Sequence, residues 1–367
     1  MFGFKHTLNN FNHDEVVKAK SRLLGRLIQV QGTSNLPKLF PYLVKRARKS
    51  LGEQLTLGEM CSDGISLPIA CTVRTVTSRI MGVLFFGETI SSDPVFADAL
   101  LRYPKEMVSS QRIILDRLSL IMGAGRNTWD DNPALKELTF AWNISSITSD
   151  SDYWNGPEHL AQTLLGVWFA AAHQPWMNLD FIFLQLCRNA DIQEALRKEI
   201  GTLEGLTYEK LMNLPFLDSF IKETVRLHPL DKLAVRRKAL KPYTFASGSP
   251  NVPAGATVAV SSYDMMHKSI DYPSPEEFQP RRFMDSDTSV RGTKFTEVSE
   301  KFPVWGYGSL ACPGRFHASI VMKLVIAHFV MRYDMRLENE EANTSWSWET
   351  FIMPYESTRF VLRKRED

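Results

Sequence analysis

The feature that most constrains the fold is residues 158–189, a segment in which apolar side chains would lie on every side of a helix. It reads EHLAQTLLGVWFAAAHQPWMNLDFIFLQLCRN. A helix that is apolar all round must be enclosed by other elements, so we expect it to run through the centre of a large domain. Pro175 lies inside the segment and removes one i→i−4 hydrogen bond, which predicts a local kink.

Helical spacing also occurs on both sides of this segment. Apolar residues recur with a period near 3.6 in five further segments, 12–30, 38–51, 59–87, 190–200 and 216–229. The run QGTSNLP, at 31–37, predicts a break between the first two helices because it combines Gly, Ser, Asn and Pro.

The pattern changes after Pro229. Residues 243–263 combine β-branched and aromatic runs with Gly/Pro turns, and the residues from Asp334 onward alternate as strands do. No internal repeat and no linker divides the chain. We therefore predict one mainly α domain over residues 1–367, with a small β region towards the C-terminus.

Composition narrows the classes of function. The 367 residues are 44% apolar, with 22 Phe and 8 Trp, which supports an ample core and excludes disorder, collagen or coiled coil as the main state. Lys and Arg number 43 against 41 Asp and Glu, so no global field favours nucleic acid as a partner. No apolar run approaches the ~18 residues of a membrane span. These observations predict a soluble chain without a membrane span.

The cysteines are too few and too scattered for a disulfide framework or a zinc cluster. They are Cys61, Cys71, Cys187 and Cys312. A reducing compartment, or one thiolate kept for chemistry, is the better interpretation. For the first three we expect the ordinary role of cysteine, a small buried apolar side chain.

Cys312 differs because it lies in the glycine-rich run WGYGSLACPGRF, at 305–316. Glycines let the backbone approach a ligand closely, and the run leads into an apolar helix. Backbone N–H groups and the helix N-terminus depress the pKa of a thiol and hold it as a thiolate. A single thiolate facing open space suits one axial ligand to haem iron.

These residues resemble the haem-thiolate signature of the cytochrome P450 family, Phe-Gly-x-Gly-x-(Arg/His)-x-Cys-x-Gly. Its glycines and cysteine are matched by Gly306, Gly308, Cys312 and Gly314. The stretch ACPGRF, at 311–316, is that of many fungal members. Two positions depart, since Trp305 replaces Phe and Leu310 replaces a cation that meets a haem propionate. Trp305 could still cover the sulfur and donate its N–H to it, whereas Leu310 requires that another cation pair with the propionate or that the haem be held less tightly.

The resemblance extends to a Glu-x-x-Arg helix and a Pro-x-Arg-Phe segment. It implies that Glu223, Arg226 and Arg282 form a triad that locks the coil beneath the haem. Glu-x-x-Arg alone is a weak signal, because an exposed pair at this spacing contributes only a few tenths of a kcal/mol. Here it lies in a helix whose apolar face must be buried. The same resemblance makes Arg237, in preference to Arg236, the cation for a propionate.

The long helix carries the family's oxygen-activation pattern in altered form. The small residues Ala170–Ala172 let a flat cofactor lie against the backbone, although a helix-packing patch explains them equally well. By resemblance, His173 takes the acid position, while Gln174 and Pro175 replace two threonines. Gln174 can order a water but has no ionisable proton, whereas imidazole exchanges protons near neutrality. The proton relay would run through His173 with a water or through the substrate's own hydroxyl, and His173 and Gln174 are the catalytic candidates.

The resemblance implies a haem-thiolate monooxygenase that inserts one oxygen atom from O₂ into an apolar small molecule. Its electrons would come from an NADPH-dependent reductase. The fungal character of the motifs points to secondary metabolism, with a terpenoid or polyketide as substrate. Two alternatives stay open. One is a haem-thiolate isomerase or dehydratase that does not use O₂, and the other is an inactive truncated product without haem.

Family members are longer and carry an N-terminal anchor in the endoplasmic reticulum membrane. We therefore expect the N-terminal part of the domain to be absent from this chain, and the localisation stays open. The basic segment Lys18–Arg26 would then be the helix that meets the propionates, or a solvated basic face, which we slightly prefer.

Overall fold

The computed structural model describes residues 25, 27–104, 106, 112–114, 116–118, 131–147, 157–246, 248–284 and 294–366. The chain forms two compact units. The first comprises Met1–Leu214, Pro313–Ala342 and Glu356–Asp367, and the second comprises Pro215–Cys312 and Asn343–Tyr355.

The described helices are, in chain order, α1 (Thr33–Leu55), α2 (Ile69–Phe86), α3 (Glu88–Ser91), α4 (Pro94–Arg102), α5 (Pro133–Lys136), α6 (Phe140–Ile147), α7 (Pro157–Arg188), α8 (Ala190–Ile200), α9 (Tyr208–Met212), α10 (Pro215–Leu227), α11 (Ser262–Met266) and α12 (Arg315–Val330). The described strands are β1 (Glu59–Cys61), β2 (Gly64–Pro68), β3 (Leu233–Lys238), β4 (Tyr243–Thr244), β5 (Asn251–Val252), β6 (Thr257–Ser261), β7 (Tyr333–Leu337), β8 (Ser345–Trp348), β9 (Phe351–Pro354) and β10 (Arg359–Lys364). The prediction of a mainly α fold with small β regions is confirmed.

Helix α7 is the core helix of the first unit, as its apolar sequence predicts. Trp168 is fully buried and its indole N–H donates to the Leu100 carbonyl at 3.1 Å. Phe183 packs edge-on against Phe329 of α12, with ring centroids 4.8 Å apart. The helix continues through Pro175 without interruption, because its neighbours bury the apolar residues on both sides.

One four-stranded antiparallel sheet belongs to the first unit, with strand order β1-β2-β10-β7. Phe360 of β10 lies opposite Leu67 of β2 and Leu337 of β7. All three side chains are buried, so this register places one apolar row against the helices of the unit.

The second unit combines α10 with three antiparallel strand pairs, β3–β6, β4–β5 and β8–β9. A register shift interrupts the β3–β6 pair between Ala234 and Arg237. Val235 lies at this bulge with φ of 51°, a left-handed conformation that a β-branched residue rarely adopts. The bulge therefore redirects the strand just before Arg237.

Two of the predicted elements are wrong in detail. Residues 31–37 do not break the helix, because a π-helical turn at Ile28–Gly32 continues directly into α1. Burial of Leu36 and Phe40 there outweighs the cost of Pro37 and Pro41. The segment 59–87 is not one helix either, since β1 and β2 precede α2 and pair with each other.

Helix α2 is also, among the described residues, the one helix long and apolar enough to cross a bilayer. Of its 18 residues, Ile69–Phe86, 83% are buried inside the structure. The helix therefore fits the description of a core helix equally well.

Candidate functional site

The loop that carries Cys312 folds back on itself, and two glycines with positive φ angles allow this turn. Gly306 has φ of 76° and Gly308 has φ of 64°, values that disfavour any side chain. Short 3₁₀ turns at Pro303–Trp305 and Gly308–Leu310 flank them. The loop then returns so that the Cys312 backbone N–H donates to the Trp305 carbonyl at 2.6 Å. The signature glycines thus have a conformational reason in this structure.

The same loop leaves room for a flat ligand. A Cβ atom built on Gly308 or on Gly314 would meet no atom within 4 Å. Cys312 is half-buried, and the four cysteines, all within the described residues, form no disulfide. The predicted burial of the other three is confirmed for Cys187 but is wrong for Cys71, which is exposed, while Cys61 is half-buried. No cluster of three or more His, Cys, Asp or Glu that could hold a metal ion occurs in the described part. One thiol beside an open backbone face fits an axial haem ligand and does not fit a zinc site.

Trp305 takes a role that differs from the predicted one. Its indole N–H donates to the Phe295 carbonyl at 2.6 Å, and the two rings lie 4.9 Å apart, centroid to centroid. The N–H that the sequence assigned to the sulfur is therefore used to bind a backbone carbonyl. The error has a physical cause, since sequence spacing cannot show that the coil at Phe295 returns to this loop.

The structure brings Glu223, Arg226 and Arg282 into one ion-pair cluster. Arg226 Nε lies 2.8 Å from one Glu223 carboxylate oxygen, and Arg282 Nε lies 3.0 Å from the other. Glu223 and Arg226 are fully buried. The Gln279 backbone N–H also donates to Glu223, at 2.9 Å, so the coil is attached to α10 by main chain as well as side chains.

Backbone carbonyls satisfy the rest of the cluster, which carries one more positive than negative charge. Arg226 donates to the Met266 carbonyl at 2.8 Å, and Arg282 donates to the carbonyls of Pro273 and Ser274. A buried charge cluster of this kind is costly to break, because removing one member leaves another charge unpaired in a low-dielectric site.

Three further polar residues of α10 hold the same coil, and none of them was predicted from the sequence. Asp218 accepts the Phe295 N–H at 3.0 Å, and Ser219 accepts the Phe283 N–H at 3.0 Å. Lys222 places its ammonium 4.5 Å from the centroid of the Phe283 ring. Burial lowers the pKa of Lys222 to about 8, against the opposing attraction of Glu297 and Asp218.

A signal for these residues was present in the sequence. Positions 218, 219, 222, 223 and 226 follow a helical spacing and form one polar stripe on an otherwise apolar helix. A helix that must be buried cannot leave such a stripe unpaired, so each of its members predicts a buried partner.

Arg237 lies in β3, and its side chain is exposed. It donates to the Arg236 carbonyl at 2.8 Å, while Arg236 forms a salt bridge with Asp231 at 2.9 Å. Arg237 also lines a cavity of about 350 Å³ together with Lys238, Lys241, Tyr243 and Phe245. Of the two arginines, Arg237 is thus the one not engaged by Asp231.

His173 and Gln174 lie on α7, in the first unit. The His173 ring stacks on Phe169, with centroids 5.8 Å apart and planes at 9°, and meets Trp176 edge-on at 6.0 Å. Gln174 is exposed. Its backbone carbonyl accepts a hydrogen bond from the side-chain amide of Asn178 at 3.0 Å. The imidazole is therefore fixed between two aromatic rings, whereas the Gln174 amide faces solvent.

Two of the sequence predictions lie outside the described part of the chain. These are the basic side chains of the segment Lys18–Arg26 and the side chain of Leu310.

Comparison with known proteins gives a consistent result. The cytochrome P450 family model matches residues 136–361, more than half of the chain. Cytochrome P450 monooxygenase 151 of Postia placenta is 25% identical over 93% of this chain and 75% of its own length. Cytochrome P450 monooxygenase esdpG of Penicillium shearii is 30% identical over 70% of this chain and 52% of its own length.

Solved structures resemble the fold. A retinoic-acid-bound cyanobacterial cytochrome, CYP120A1, superposes with a TM-score of 0.72 at 22% identity, over 96% of this chain and 79% of that one. A cytochrome P450 named CYP102L1 superposes with a TM-score of 0.74 at 16% identity, over 98% of this chain and 81% of that one.

Proposed function

Because this chain belongs to the cytochrome P450 family, we propose that it acts as a haem-thiolate monooxygenase on an apolar small molecule. Haem bound through a cysteine thiolate is the cofactor of the family, and the fungal relatives that match the chain are monooxygenases. The observation that carries the proposal is the Cys312 loop. It offers one half-buried thiol close in sequence to Gly308 and Gly314, beside which the structure has open space.

In the proposed reaction one atom of O₂ enters the substrate and the other leaves as water, with two electrons and two protons consumed. When bound, haem supplies the iron at which O₂ is reduced. Cys312 would hold the iron through its thiolate. The backbone bond from Cys312 to Trp305 holds the loop closed, and the Glu223 cluster fixes the coil that precedes it. Arg237 is the proposed partner of a haem propionate, supported by its exposed guanidinium.

Proton delivery is assigned to His173, with Gln174 ordering a water. The aromatic contacts of His173 support this role because they hold the imidazole in one orientation. Imidazole can both accept and donate a proton near neutral pH. The Gln174 amide can orient a water by hydrogen bonding, but it cannot itself relay a proton.

Substrate and partner follow from the family. Its members take electrons from a redox partner, and for this chain we propose an NADPH-dependent reductase. We also propose a place in secondary metabolism, with a terpenoid or polyketide as substrate, because the ACPGRF stretch and His173 have the character of fungal members. We also propose that residues 1–367 belong to a single haem-thiolate domain.

A second candidate, a haem-thiolate isomerase or dehydratase, is favoured by one observation. Gln174 and Pro175 leave this stretch of α7 without the hydroxyl side chains of the family pattern. Such an enzyme would rearrange a substrate without consuming O₂ or NADPH.

Isotope labelling separates the two candidates. The protein, a reductase and NADPH are incubated under ¹⁸O₂ with a panel of terpenoids and polyketides. The proposal predicts a product that carries one heavy oxygen atom and depends on NADPH. A product that forms without label and without NADPH would replace it with the isomerase.

A further inference from the structure

Helix α10 contacts the coil at Phe295 through a residue outside the Glu223 cluster. The Asp218 carboxylate accepts the Phe295 N–H at 3.0 Å, and the Asp218 side chain is 2% exposed. Lys222, one turn later on the same helix, lies close enough to interact electrostatically with it. The Phe295 peptide is therefore fixed to a rigid, buried helix.

The carbonyl of the same residue is attached to the thiol loop. The Phe295 carbonyl accepts the indole N–H of Trp305 at 2.6 Å, and the Trp305 carbonyl accepts the Cys312 N–H at 2.6 Å. Three hydrogen bonds thus link four residues in one line, from Asp218 through Phe295 and Trp305 to Cys312, with the covalent bonds of Phe295 and Trp305 between them. No member of the Glu223 cluster takes part in it.

We propose that Asp218 and Trp305 are positioning residues that set the orientation of the Cys312 thiolate through this line of hydrogen bonds. The proposal rests on the proposed function, because it takes Cys312 as the haem ligand. It also gives a reason for the departure at Trp305. A phenylalanine there would keep the ring contact with Phe295 but could not donate a hydrogen bond to its carbonyl.

The expected size of the effect follows from the bonds involved. A buried hydrogen bond contributes about 1 kcal/mol, which corresponds to about a fivefold change in an equilibrium. Loss of one bond in the line should therefore shift, rather than abolish, the balance between correctly and incorrectly ligated protein. Asn at position 218 keeps an oxygen that can accept the same N–H and removes only the charge.

The test compares Asp218→Ala, Asp218→Asn and Trp305→Phe with the control Ser219→Ala in the haem-loaded full chain. Ser219 neighbours Asp218 on α10 and also accepts a buried N–H, that of Phe283, but it is not part of the line. The readouts are the ratio of thiolate-type to thiol-type Soret bands in the reduced, CO-treated protein and the reduction potential. Circular dichroism checks that each variant is folded.

Asp218→Ala and Trp305→Phe are expected to lower the band ratio about fivefold and to shift the reduction potential. Asp218→Asn is expected to stay within about twofold of wild type, and Ser219→Ala to lose stability without changing the ratio. A wild-type ratio and potential in Trp305→Phe would overturn the proposal, as would equal losses in Asp218→Ala and Ser219→Ala. If the wild-type protein itself shows no thiolate-type band, the assignment of Cys312 as ligand fails instead.

Discussion

Helices α10 and α7 are both buried, but they are buried by different kinds of contact. On α10, a polar stripe binds the coil through ion pairs, hydrogen bonds and a cation over aromatic rings. On α7, the buried side chains are almost all apolar, and the candidate catalytic residue His173 is held by aromatic rings.

The difference shows which kind of function can be read from each helix. Ion pairs and hydrogen bonds are specific in partner and direction, so each polar residue of α10 identifies what it holds. Apolar packing on α7 specifies volume and tolerates many arrangements, so the chemistry proposed for this helix is assigned to only two residues, His173 and Gln174. Four substitutions test this contrast.

Arg226→Leu is expected to have the largest effect. It leaves the Glu223 carboxylate with a single cation in a buried site, at a cost of about 3–5 kcal/mol. We expect loss of haem incorporation, measured by the haem-to-protein ratio after purification. Arg236→Leu, which breaks a more exposed salt bridge, is the control and should retain haem. Normal haem content in Arg226→Leu would contradict the role given to α10.

Lys222→Met tests how the contribution of the buried Lys222 ammonium to stability depends on pH. The pKa of Lys222 is lowered from 10.5 to about 8 on folding, so the folded state disfavours its charged form. Its contribution to stability is unfavourable below the folded pKa and disappears as pH rises to the unfolded pKa. As pH rises from about 8 to 10.5, the wild-type free energy of unfolding should therefore increase by roughly 3 kcal/mol relative to that of the Met variant. Parallel pH profiles, from denaturant titrations, would refute the assignment.

His173→Phe tests the opposite side of the comparison. Phenylalanine keeps an aromatic ring beside Phe169 but cannot exchange a proton. We expect product formation per NADPH to fall about 100-fold, as for loss of a positioned acid–base group, with haem content unchanged. Trp176→Phe is the matched control, because it alters the aromatic contact without removing an ionisable group. Equal losses in both variants would reduce His173 to a packing residue.

Gln174→Thr is expected to have the smallest effect. It restores a hydroxyl at an exposed position without disturbing a buried contact. We expect at most a few-fold increase in product per NADPH, equivalent to less than about 1 kcal/mol. A larger gain would show that Gln174 limits proton delivery in the native protein.

Much of the fold and site could be predicted because its signals are local. The apolar run of α7, the spacing of Glu223 and Arg226, and the glycines around Cys312 each act within a few residues. The contacts that were missed are long-range in sequence. Asp218 and Phe295 are 77 positions apart, and spacing alone cannot pair them. Strands β1 and β2 were likewise missed, because β2 depends on pairing with β10 near the C-terminus.

The proposed function depends first on Cys312, which would hold the haem iron through its thiolate. The most direct test is the spectrum of the reduced, CO-treated protein, recorded for wild type, Cys312→Ala and the control Cys71→Ala. Cys71 is exposed and lies outside the loop. We predict a red-shifted, thiolate-type Soret band in wild type and in Cys71→Ala, and its loss in Cys312→Ala. An unshifted band in wild type, or a thiolate-type band that survives in Cys312→Ala, would contradict the claim.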